Sequence, residues 1–288
     1  MNMRYIPLII ISATCFGLDA TPLGGGLGIL RNVTPYEYAV NAALESQIVN
    51  DGIVVNDGAG LRVGGRGRFY GAGIHAVGNF VVEEDKNARY MPVGNGNYVP
   101  LENNFGEMKS FKFGADYLFD IGGIYGDDGP GVQILPGMNW ETAPDETVGP
   151  KKNPYTLIGL TVWVSTPIEG IDFGNQIEYN IGGKTFFRGS FGFRQLYQIP
   201  GFEFTAWQFA NYGSNNYKKN LLNSEHAGFS HLDIGGTATM PFIFTGTWIF
   251  AKASCTPWLA HYDRATLSED NMNVAPVTIS LGFEFSSH

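Results

Sequence analysis

The sequence predicts an all-β fold, an antiparallel up-and-down β-barrel of about twelve strands. Three observations lead to this prediction. Apolar side chains recur at every second residue in many segments, which is the pattern of a strand with one apolar and one polar face. The chain of 288 residues has 39 glycines, 14% aromatic residues and only 16% charged residues, whereas helical proteins are rich in Ala, Glu and Lys. Short and long connections alternate between the predicted strands, as they do in barrels.

The first twenty residues, MNMRYIPLIIISATCFGLDA, have the composition of a secretory signal peptide. Arg4 precedes an apolar stretch from Tyr5 to about Gly17, and this stretch is too short to span a membrane. We expect cleavage after Ala20, so that residues 1–20 are removed and residues 21–288 form a single exported domain. A lipoprotein anchor at Cys15 is the alternative, although the residues before it match a lipobox poorly.

Charge and cysteine content exclude several classes of protein. The net charge of −9 disfavours nucleic acid as a partner, because phosphate binding requires a basic surface. Cys255 is the only cysteine beyond the predicted cleavage site, so no disulfide can form within the mature chain. No run of about 18 apolar residues follows the leader, and no transmembrane helix is therefore predicted.

The first strand has a competing interpretation as a helix. In YEYAVNAALESQI, Tyr36, Tyr38 and Val40 alternate with polar residues. The preceding Thr34-Pro35-Tyr36-Glu37 is also a capping box with proline at the first helical position, which favours a helix from about 35 to 47. We predict the strand, because the period of two continues for longer than the helical pattern.

The same alternation continues to the end of the chain, through SFKFGADYLFDI, IDFGNQIEYNI, HLDIGGTATM and VTISLGFEF. Several of the predicted strands run to about 11–13 residues, and about 9–11 residues suffice for a tilted strand to cross a bilayer. The twelve predicted strands lie near residues 36–49, 60–70, 72–83, 108–120, 131–140, 155–166, 171–181, 184–198, 201–211, 229–241, 247–260 and 275–286.

The connections between these strands predict an orientation in a membrane. Short connections fall at 70–72, 167–170, 199–200 and 242–246, and long polar ones fall at 84–107, 141–154, 212–228 and 261–274. The short link at 182–184 and the longer stretch at 122–130 depart from the alternation. We expect the long loops to be extracellular and both chain ends to be periplasmic, as an even number of strands requires.

The apolar face of each strand is expected to contact lipid. Every backbone N–H and C=O group in hydrocarbon needs a partner, and a sheet provides one for each group only when it closes. The last strand must then pair with the first. A secreted β-sandwich or lipocalin-like barrel is the alternative, and it would bury the apolar face instead.

Aromatic side chains near the predicted strand ends are expected to form interfacial girdles. They are Tyr36, Tyr38, Tyr90, Trp140, Tyr155, Trp207, Tyr212, Tyr217, Trp258 and Tyr262.

Several motifs resemble a family of Gram-negative outer-membrane proteins, the TorF-like porins. The run SQIVNDGIVVNDGAGLRVGGRGRFYGAGIHAVGNF is similar to the opening of these proteins, and NYGSNNY followed by HLDIGGTATMPF is similar to a later loop and strand. The aromatic-ended last strand resembles the C-terminal signal read by the barrel-assembly machinery, although Ser286-Ser287-His288 follow Phe285 here. The resemblance implies a porin located in the cell outer membrane, with outer-membrane lipid and this machinery as partners.

Polar residues opposite the apolar face are predicted to line the interior. Arg62, Arg66 and Arg68 share one face of LRVGGRGRF, and Arg188 and Arg194 share one face of FFRGSFGFR. Opposed charges across a lumen would filter small solutes or ions by charge. The alternative is that these charges pair with one another and fill a narrow lumen. The candidate pore-lining residues are Arg62, Arg66, Arg68, Lys112, Asp116, Asp120, Asp172, Glu178, Arg188, Arg194, Asp233 and Glu284.

An enzymatic barrel is not predicted. The His-x-Ser pair of outer-membrane phospholipases does not occur in the sequence. His231-x-Asp233 and His261-x-Asp263 place a base beside a carboxylate, as in an omptin-like protease, but alternation alone produces two polar residues on one strand face. The five histidines lack the spacing of metal ligands, and no cofactor or metal is expected.

Together these features predict an outer-membrane channel for the passive diffusion of small solutes. The alternative is a non-conducting barrel whose long surface loops serve adhesion or structure.

Overall fold

The computed structural model describes most of the chain from Tyr36 onwards. The predicted signal peptide, the Cys15 anchor and the His261-x-Asp263 pair lie outside the described residues. These residues are 36–50, 53–84, 89–94, 97–101, 104–121, 131–142, 155–166, 168, 170–182, 185–222, 226–242, 244, 246–259 and 277–286.

Strands dominate the described residues. In chain order the elements are β1 (Tyr36–Glu45), β2 (Ile48–Asn50), β3 (Ile53–Asn56), β4 (Gly60–Phe69), β5 (Ala72–Val81), β6 (Arg89–Gly94), β7 (Asn97–Leu101), β8 (Met108–Tyr117), β9 (Phe119–Ile121), β10 (Val132–Thr142), β11 (Tyr155–Ser165), β12 (Ile171–Asn180), β13 (Phe187–Ile199), β14 (Phe202–Gly213), α1 (Asn215–Leu222), β15 (Gly228–Pro241), β16 (Thr247–Leu259) and β17 (Thr278–Ser286).

One antiparallel sheet closes on itself to form a barrel. Its order is β11-β12-β13-β14-β15-β16-β17-β1-β4-β5-β8-β10, and β10 pairs back to β11. The short β9 also pairs with β10 and continues β8 after Leu118, so β8 and β9 form one barrel strand. The barrel therefore has twelve strands, which confirms the predicted fold class.

Closure occurs between the first and the last strand, as the sequence predicts. Ala39 lies opposite Ser286 and Glu45 lies opposite Ser280 in this pair. On its other side β1 pairs with β4 along its full length, from Tyr36 opposite Phe69 onwards. The helical interpretation of residues 35–47 is therefore wrong, because both edges of the segment are used in the sheet.

The two ends of the barrel differ in their connections. Tight connections at 70–71, 166–170, 200–201 and 242–246 lie at one end, which we call the turn end. Gly71 and Gly201 adopt φ values of +87° and +77° there, a left-handed conformation that glycine adopts without steric cost. The opposite end, which we call the loop end, carries the β2–β3 and β6–β7 hairpins and α1.

The elements at the loop end are not predicted by the strand pattern. In the β2–β3 hairpin Val49 and Val54 are buried against each other. The buried Asn56 donates from Nδ2 to the carbonyl oxygens of Gly58 (2.9 Å) and Glu83 (3.1 Å), which ties the hairpin to the next loop. Because this hairpin begins at Ile48, the first barrel strand ends earlier than predicted.

The helix α1 has eight residues, and its first turn is capped by Ser214, whose Oγ accepts from the Tyr217 backbone N–H at 3.4 Å. Among the described residues there is no helix with the length and apolar character needed to cross a membrane.

The two faces of the sheet have opposite chemistry, and the apolar face points outwards. In β17, Ile279, Leu281 and Phe283 are 53–60% exposed, whereas Ser280 and Glu284 are 3% and 2% exposed on the inner side. In the other barrel strands most outward side chains are likewise aromatic or branched, and most charged and polar side chains point inwards. A water-soluble barrel buries its apolar face, so this exterior requires an apolar surrounding.

Candidate functional site: the polar interior of the barrel

The structure places eleven of the twelve predicted pore-lining residues on the inner face of the barrel. Asp120 pairs with Gln133 through the backbone, and its side chain lies outside the described part of the chain. Asp116, Arg62, Arg66 and Asp172 are half-buried. The buried members are Arg68, Lys112, Glu178, Arg188, Arg194, Asp233 and Glu284.

Asp116 on β8 joins three strands through its carboxylate. Arg68 on β4 contacts it at 2.5 Å from Nη2 to Oδ1, and His75 Nδ1 on β5 lies 3.6 Å from Oδ2. The other nitrogen of His75, Nε2, lies 2.9 Å from Asn139 Oδ1 on β10. A chain of polar contacts therefore runs from β4 to β10.

Glu178 on β12 continues this chain around the wall. Asn139 donates from Nδ2 to Glu178 Oε1 at 2.7 Å. Because a carboxylate only accepts, the amide nitrogen of Asn139 faces Glu178, and its oxygen accepts from His75. Arg188 Nε donates to Glu178 Oε2 at 2.9 Å, and Arg188 Nη2 reaches Glu141 Oε1 at 2.5 Å. Lys112 Nζ completes the group at 3.3 Å from the same oxygen of Glu141.

We call these eight residues the central network: Arg68, His75, Lys112, Asp116, Asn139, Glu141, Glu178 and Arg188. Lone buried charges are costly, and paired and hydrogen-bonded ones are tolerated. The network therefore accounts for how these charges are accommodated inside the barrel.

Glycines on the intervening strands allow the central network to form. Gly73 on β5 lies between Arg68 and Asp116 in the register, and Gly114 on β8 lies between His75 and Asn139. A Cβ atom at Gly114 would clash with Asn139 Oδ1 and with the His75 ring, and one at Gly73 would lie 2.7 Å from Asp116 Oδ1. Because glycine has no side chain at these two positions, the residues of the two flanking strands can form hydrogen bonds directly across the strand between them.

Arg194 forms a second ionic group nearer the turn end. Its Nε donates to Asp172 Oδ2 at 2.8 Å, and Ser165 Oγ donates to Asp172 Oδ1 at 2.6 Å. The guanidinium carbon lies 4.2 Å from the ring centroid of Trp163, which is the geometry of a cation–π contact.

Apolar side chains also occupy part of the interior. Leu135, Trp163, Trp207 and Phe209 form a buried cluster, and Lys252 Nζ lies 5.7 Å from the Trp207 ring. Trp207 is only 3% exposed, so the expectation that it belongs to an interfacial girdle is wrong. Its ring covers the inner face of Gly235 instead.

Asp233 is held by three other residues near the loop end. Asn211 Nδ2 donates to Oδ2 at 2.9 Å and Thr256 Oγ1 donates to Oδ1 at 2.7 Å, while His231 Nε2 lies 3.3 Å from Oδ2. Ser230 Oγ lies 2.9 Å from His231 Nδ1. A register shift in the β14–β15 pair turns both Ser230 and His231 inwards.

This order of serine, histidine and aspartate resembles a nucleophilic triad, but Ser230 has no exposed surface and its Oγ also donates to the carbonyl oxygen of Asn211 at 3.3 Å. The arrangement serves to hold Asp233. Within the described residues no group of three or more His, Cys, Asp or Glu side chains is placed to hold a metal.

Arg66 of β4 faces acidic residues on β1, β17 and β8. Arg66 is attracted electrostatically to Glu284, Glu37 and Asp116 and repelled by Arg68. Its Nε has no hydrogen-bond partner within the described residues. The three arginines therefore form a positive stripe along one wall, which is balanced in part by carboxylates on either side.

Two connections on opposite sides of the barrel meet across the loop end. The helix α1, which follows β14, packs against β6, which follows β5, and against β13. The strand pairs β5–β8 and β14–β15 lie on opposite sides of the twelve-stranded ring. Tyr217 of α1 is buried against Leu157 and Phe186, so it does not belong to a girdle. The mouth of the barrel at the loop end is thus spanned by secondary structure.

Several residues of this interior are not among the predicted pore-lining residues: His75, Asn139, Glu141, Trp163, Trp207, Phe209 and Lys252. Glu141 follows the predicted end of its strand, and His75 and Asn139 are polar residues at inward positions of the alternation. Trp163 carries no such signal, because it is itself apolar, although Thr161 and Ser165 on its face are polar.

Comparisons with known proteins find similarity at the level of solved structures alone. No protein-family model matches the chain, and no curated protein matches its sequence. The solved structures similar to it include the KdgM porin, at 9% identity and a TM-score of 0.48 over 87% of this chain and 99% of that one. They also include the NanC porin, at 10% identity and a TM-score of 0.47 over 86% of this chain and 98% of that one.

A third similar structure is the outer membrane protein Omp33 of Acinetobacter baumannii, at 10% identity and a TM-score of 0.33 over 87% of this chain and 97% of that one. At these values the resemblance to TorF-like porins stays a prediction, and the solute is not identified.

Proposed function

We propose that the protein is an outer-membrane channel through which small solutes or ions diffuse passively. One observation carries the proposal: a closed twelve-stranded sheet exposes an apolar surface to its surroundings and encloses a polar, charged interior. An exterior of this kind is stable in lipid, and bacterial outer-membrane barrels combine an apolar outer face with a polar interior.

The charged groups of the interior support a pore that discriminates solutes by charge. The arginine stripe of β4 faces carboxylates such as Glu37 and Glu284, and fields between opposed charges act on a solute that passes between them. In this proposal Arg62, Arg66 and Glu284 line the route, while the residues of the central network stabilise the wall beside it.

The partners follow from the same placement. The outer face is proposed to contact outer-membrane lipid, and β17 is proposed to be the strand that the barrel-assembly machinery reads. An N-terminal signal peptide removed after Ala20 would export the chain through the inner membrane.

The test is the conductance of the refolded protein in a planar bilayer. We expect discrete current steps, and we expect Arg62→Gln together with Arg66→Gln to shift the reversal potential in a salt gradient towards cation preference. Val63→Ala, on the outer face of the same strand, is the matched control and should leave the reversal potential unchanged. Protein that retains its β-sheet spectrum but passes no current would contradict the proposal.

A second candidate function is a non-conducting barrel whose surface loops serve adhesion or structure. The observation that favours it is the filled interior: the central network joins side chains from β4 to β13, and α1 spans the loop end with β6. The same conductance measurement separates the two candidates, since absence of current in a folded barrel favours the second.

A further inference from the structure

The outer face of the barrel carries a groove over strands β11 to β14. Its volume is about 350 Å³. Phe173, Phe191 and Phe193 form its apolar walls together with valines of β11, and Asn175 and Gln208 lie within it. All of these side chains point outwards, away from the ionic interior.

Two carboxamides, Asn175 and Gln208, line this groove, and a third, Gln195, lies beside it on the same outer face. Among the outward-facing side chains of the described barrel strands, Asn175, Gln195 and Gln208 are the only ones with an amide or a charge. In the register Gln208 lies opposite Phe193 and Gln195 lies opposite Ala206, so the two glutamines are diagonal neighbours. Asn175 lies opposite Phe191, one strand further on. We call Asn175, Gln195 and Gln208 the carboxamide patch.

The patch has few partners within its own chain. Asn175 interacts with the hydroxyl of Tyr212, which itself donates to the Gln176 carbonyl oxygen at 3.3 Å. Within the described part of the chain, the amides of Gln195 and Gln208 have no side-chain hydrogen-bond partner. Asn175 and Gln208 occupy the middle of their strands, at the depth of the hydrocarbon rather than of the headgroups.

A polar group at this depth is costly unless another group bonds to it. Acyl chains offer neither donors nor acceptors, and water is scarce in the hydrocarbon. A carboxamide has both two donors and an acceptor, so a cluster of carboxamides is complementary to an identical cluster. It carries no net charge and therefore requires no charged partner.

From these observations we propose that the carboxamide patch and its groove bind a second copy of this chain in a twofold-symmetric dimer. In such an isologous interface the same patch serves on both subunits, so Asn175, Gln195 and Gln208 of one copy bond to those of the other. Ala206 and Ala210 on β14 have small side chains beside the patch, so the backbones of two copies can approach closely there. The aromatic walls of the groove then pack against the partner.

The first measurement is the mass of the full-length protein purified in detergent and reconstituted in lipid nanodiscs. We expect twice the mass of one chain. The triple variant Asn175→Leu, Gln195→Leu and Gln208→Leu keeps an apolar exterior, so it should fold and should run as a single chain. A control with Val40→Leu, Val63→Leu and Ile74→Leu, on the opposite wall of the barrel, should remain dimeric.

The second measurement locates the contact by cross-linking, in a background with Cys255→Ala. Gln208→Cys should give a covalent dimer with a short bismaleimide in the membrane, whereas Val63→Cys should give none. Wild-type protein that is monomeric in nanodiscs would overturn the proposal, and so would a dimer that persists in the leucine variant. A monomer that retains a copurified lipid in the groove would assign the surface to lipid instead.

The dimer rests on the lipid-facing placement of this surface. A protein that conducts as a monomer would disprove the dimer alone, whereas a protein that folds in plain buffer would disprove both proposals.

Discussion

At the scale of single residues, the glycines of the inner face decide which polar side chains can meet. Gly114 separates His75 and Asn139 by one strand and leaves the space in which they bond. Gly73 does the same for Arg68 and Asp116. Glycine usually weakens a strand, and here its lack of a side chain is what permits the cross-strand contacts.

The residue-scale prediction is that Gly114→Ala disrupts the central network. The added methyl group meets Asn139 Oδ1 and His75 Nε2, so we expect a loss of about 1–3 kcal/mol in unfolding free energy from a broken buried hydrogen bond and from overpacking. Urea unfolding in lipid vesicles measures this difference. The matched control is Gly65→Ala on β4, where the nearest atom to a new Cβ lies 3.7 Å away, and equal losses for both variants would contradict the prediction.

For the inner residues, the sequence predicts the direction of most side chains but not their contact partners. Alternation identifies which residues point inwards, because a strand has a period of two. It does not identify partners such as Arg188 and Glu141, which lie three strands apart and meet only through the register of the whole wall. It also fails for Trp163, because a large apolar side chain is expected on the outer face, whereas Trp163 shares the inner face with Thr161 and Ser165.

At the scale of elements, β17 presents the two environments of the barrel on adjacent residues. Leu281→Arg places a charge on the outer face and should cost about 2–4 kcal/mol near the bilayer midplane. Ser280→Arg places the same charge inside, opposite Glu45 and Lys252 in the register, and should cost less. Refolding equilibria in vesicles measure both variants. A larger cost for Ser280→Arg would mean that the inner face tolerates charge less well than the outer one.

The helix α1 gives a second prediction at this scale. Replacing residues 215–222 by a Gly-Ser linker of equal length removes the packing of α1 against β6 and of Tyr217 against Phe186. If the lumen conducts, the single-channel conductance should rise, because secondary structure at the loop end no longer narrows the mouth. The control Asn215→Ser changes an exposed residue of the helix and should leave conductance unchanged. An unchanged conductance in the linker variant would place the narrowest point deeper in the barrel.

The barrel strands can be predicted from the local residue pattern, whereas the elements at the loop end depend on packing. The twelve barrel strands follow from alternation over about ten residues each, and their ends move by a few residues in the structure. The β2–β3 hairpin and α1 are short and lie in polar loops. They depend on specific contacts, such as that of Ile48 with Gly60 and the Ser214 cap. Such contacts cannot be predicted from the local alternation of apolar and polar residues.

At the scale of the whole molecule, the apolar exterior determines what the chain requires in order to fold. We expect the purified protein to need detergent or lipid, and to migrate in SDS as a compact species until it is heated. The reason is that a closed sheet leaves no edge at which detergent can begin to separate the strands. Gel mobility with and without heating tests this prediction, and a chain that folds as a monomer in plain buffer would refute the membrane placement.

The register that joins Ala39 to Ser286 has a further consequence for the whole molecule. A ring of twelve strands has no geometric beginning, and the two chain ends are neighbours at the turn end. A circular permutant that opens at Pro200-Gly201 and links Ser286 to Tyr36 keeps every strand pair, yet it ends in β13 instead of β17. Such a chain preserves the architecture and changes the final strand. It therefore separates the sequence information that determines the barrel fold from the signal that directs the chain to be inserted into the membrane in the cell.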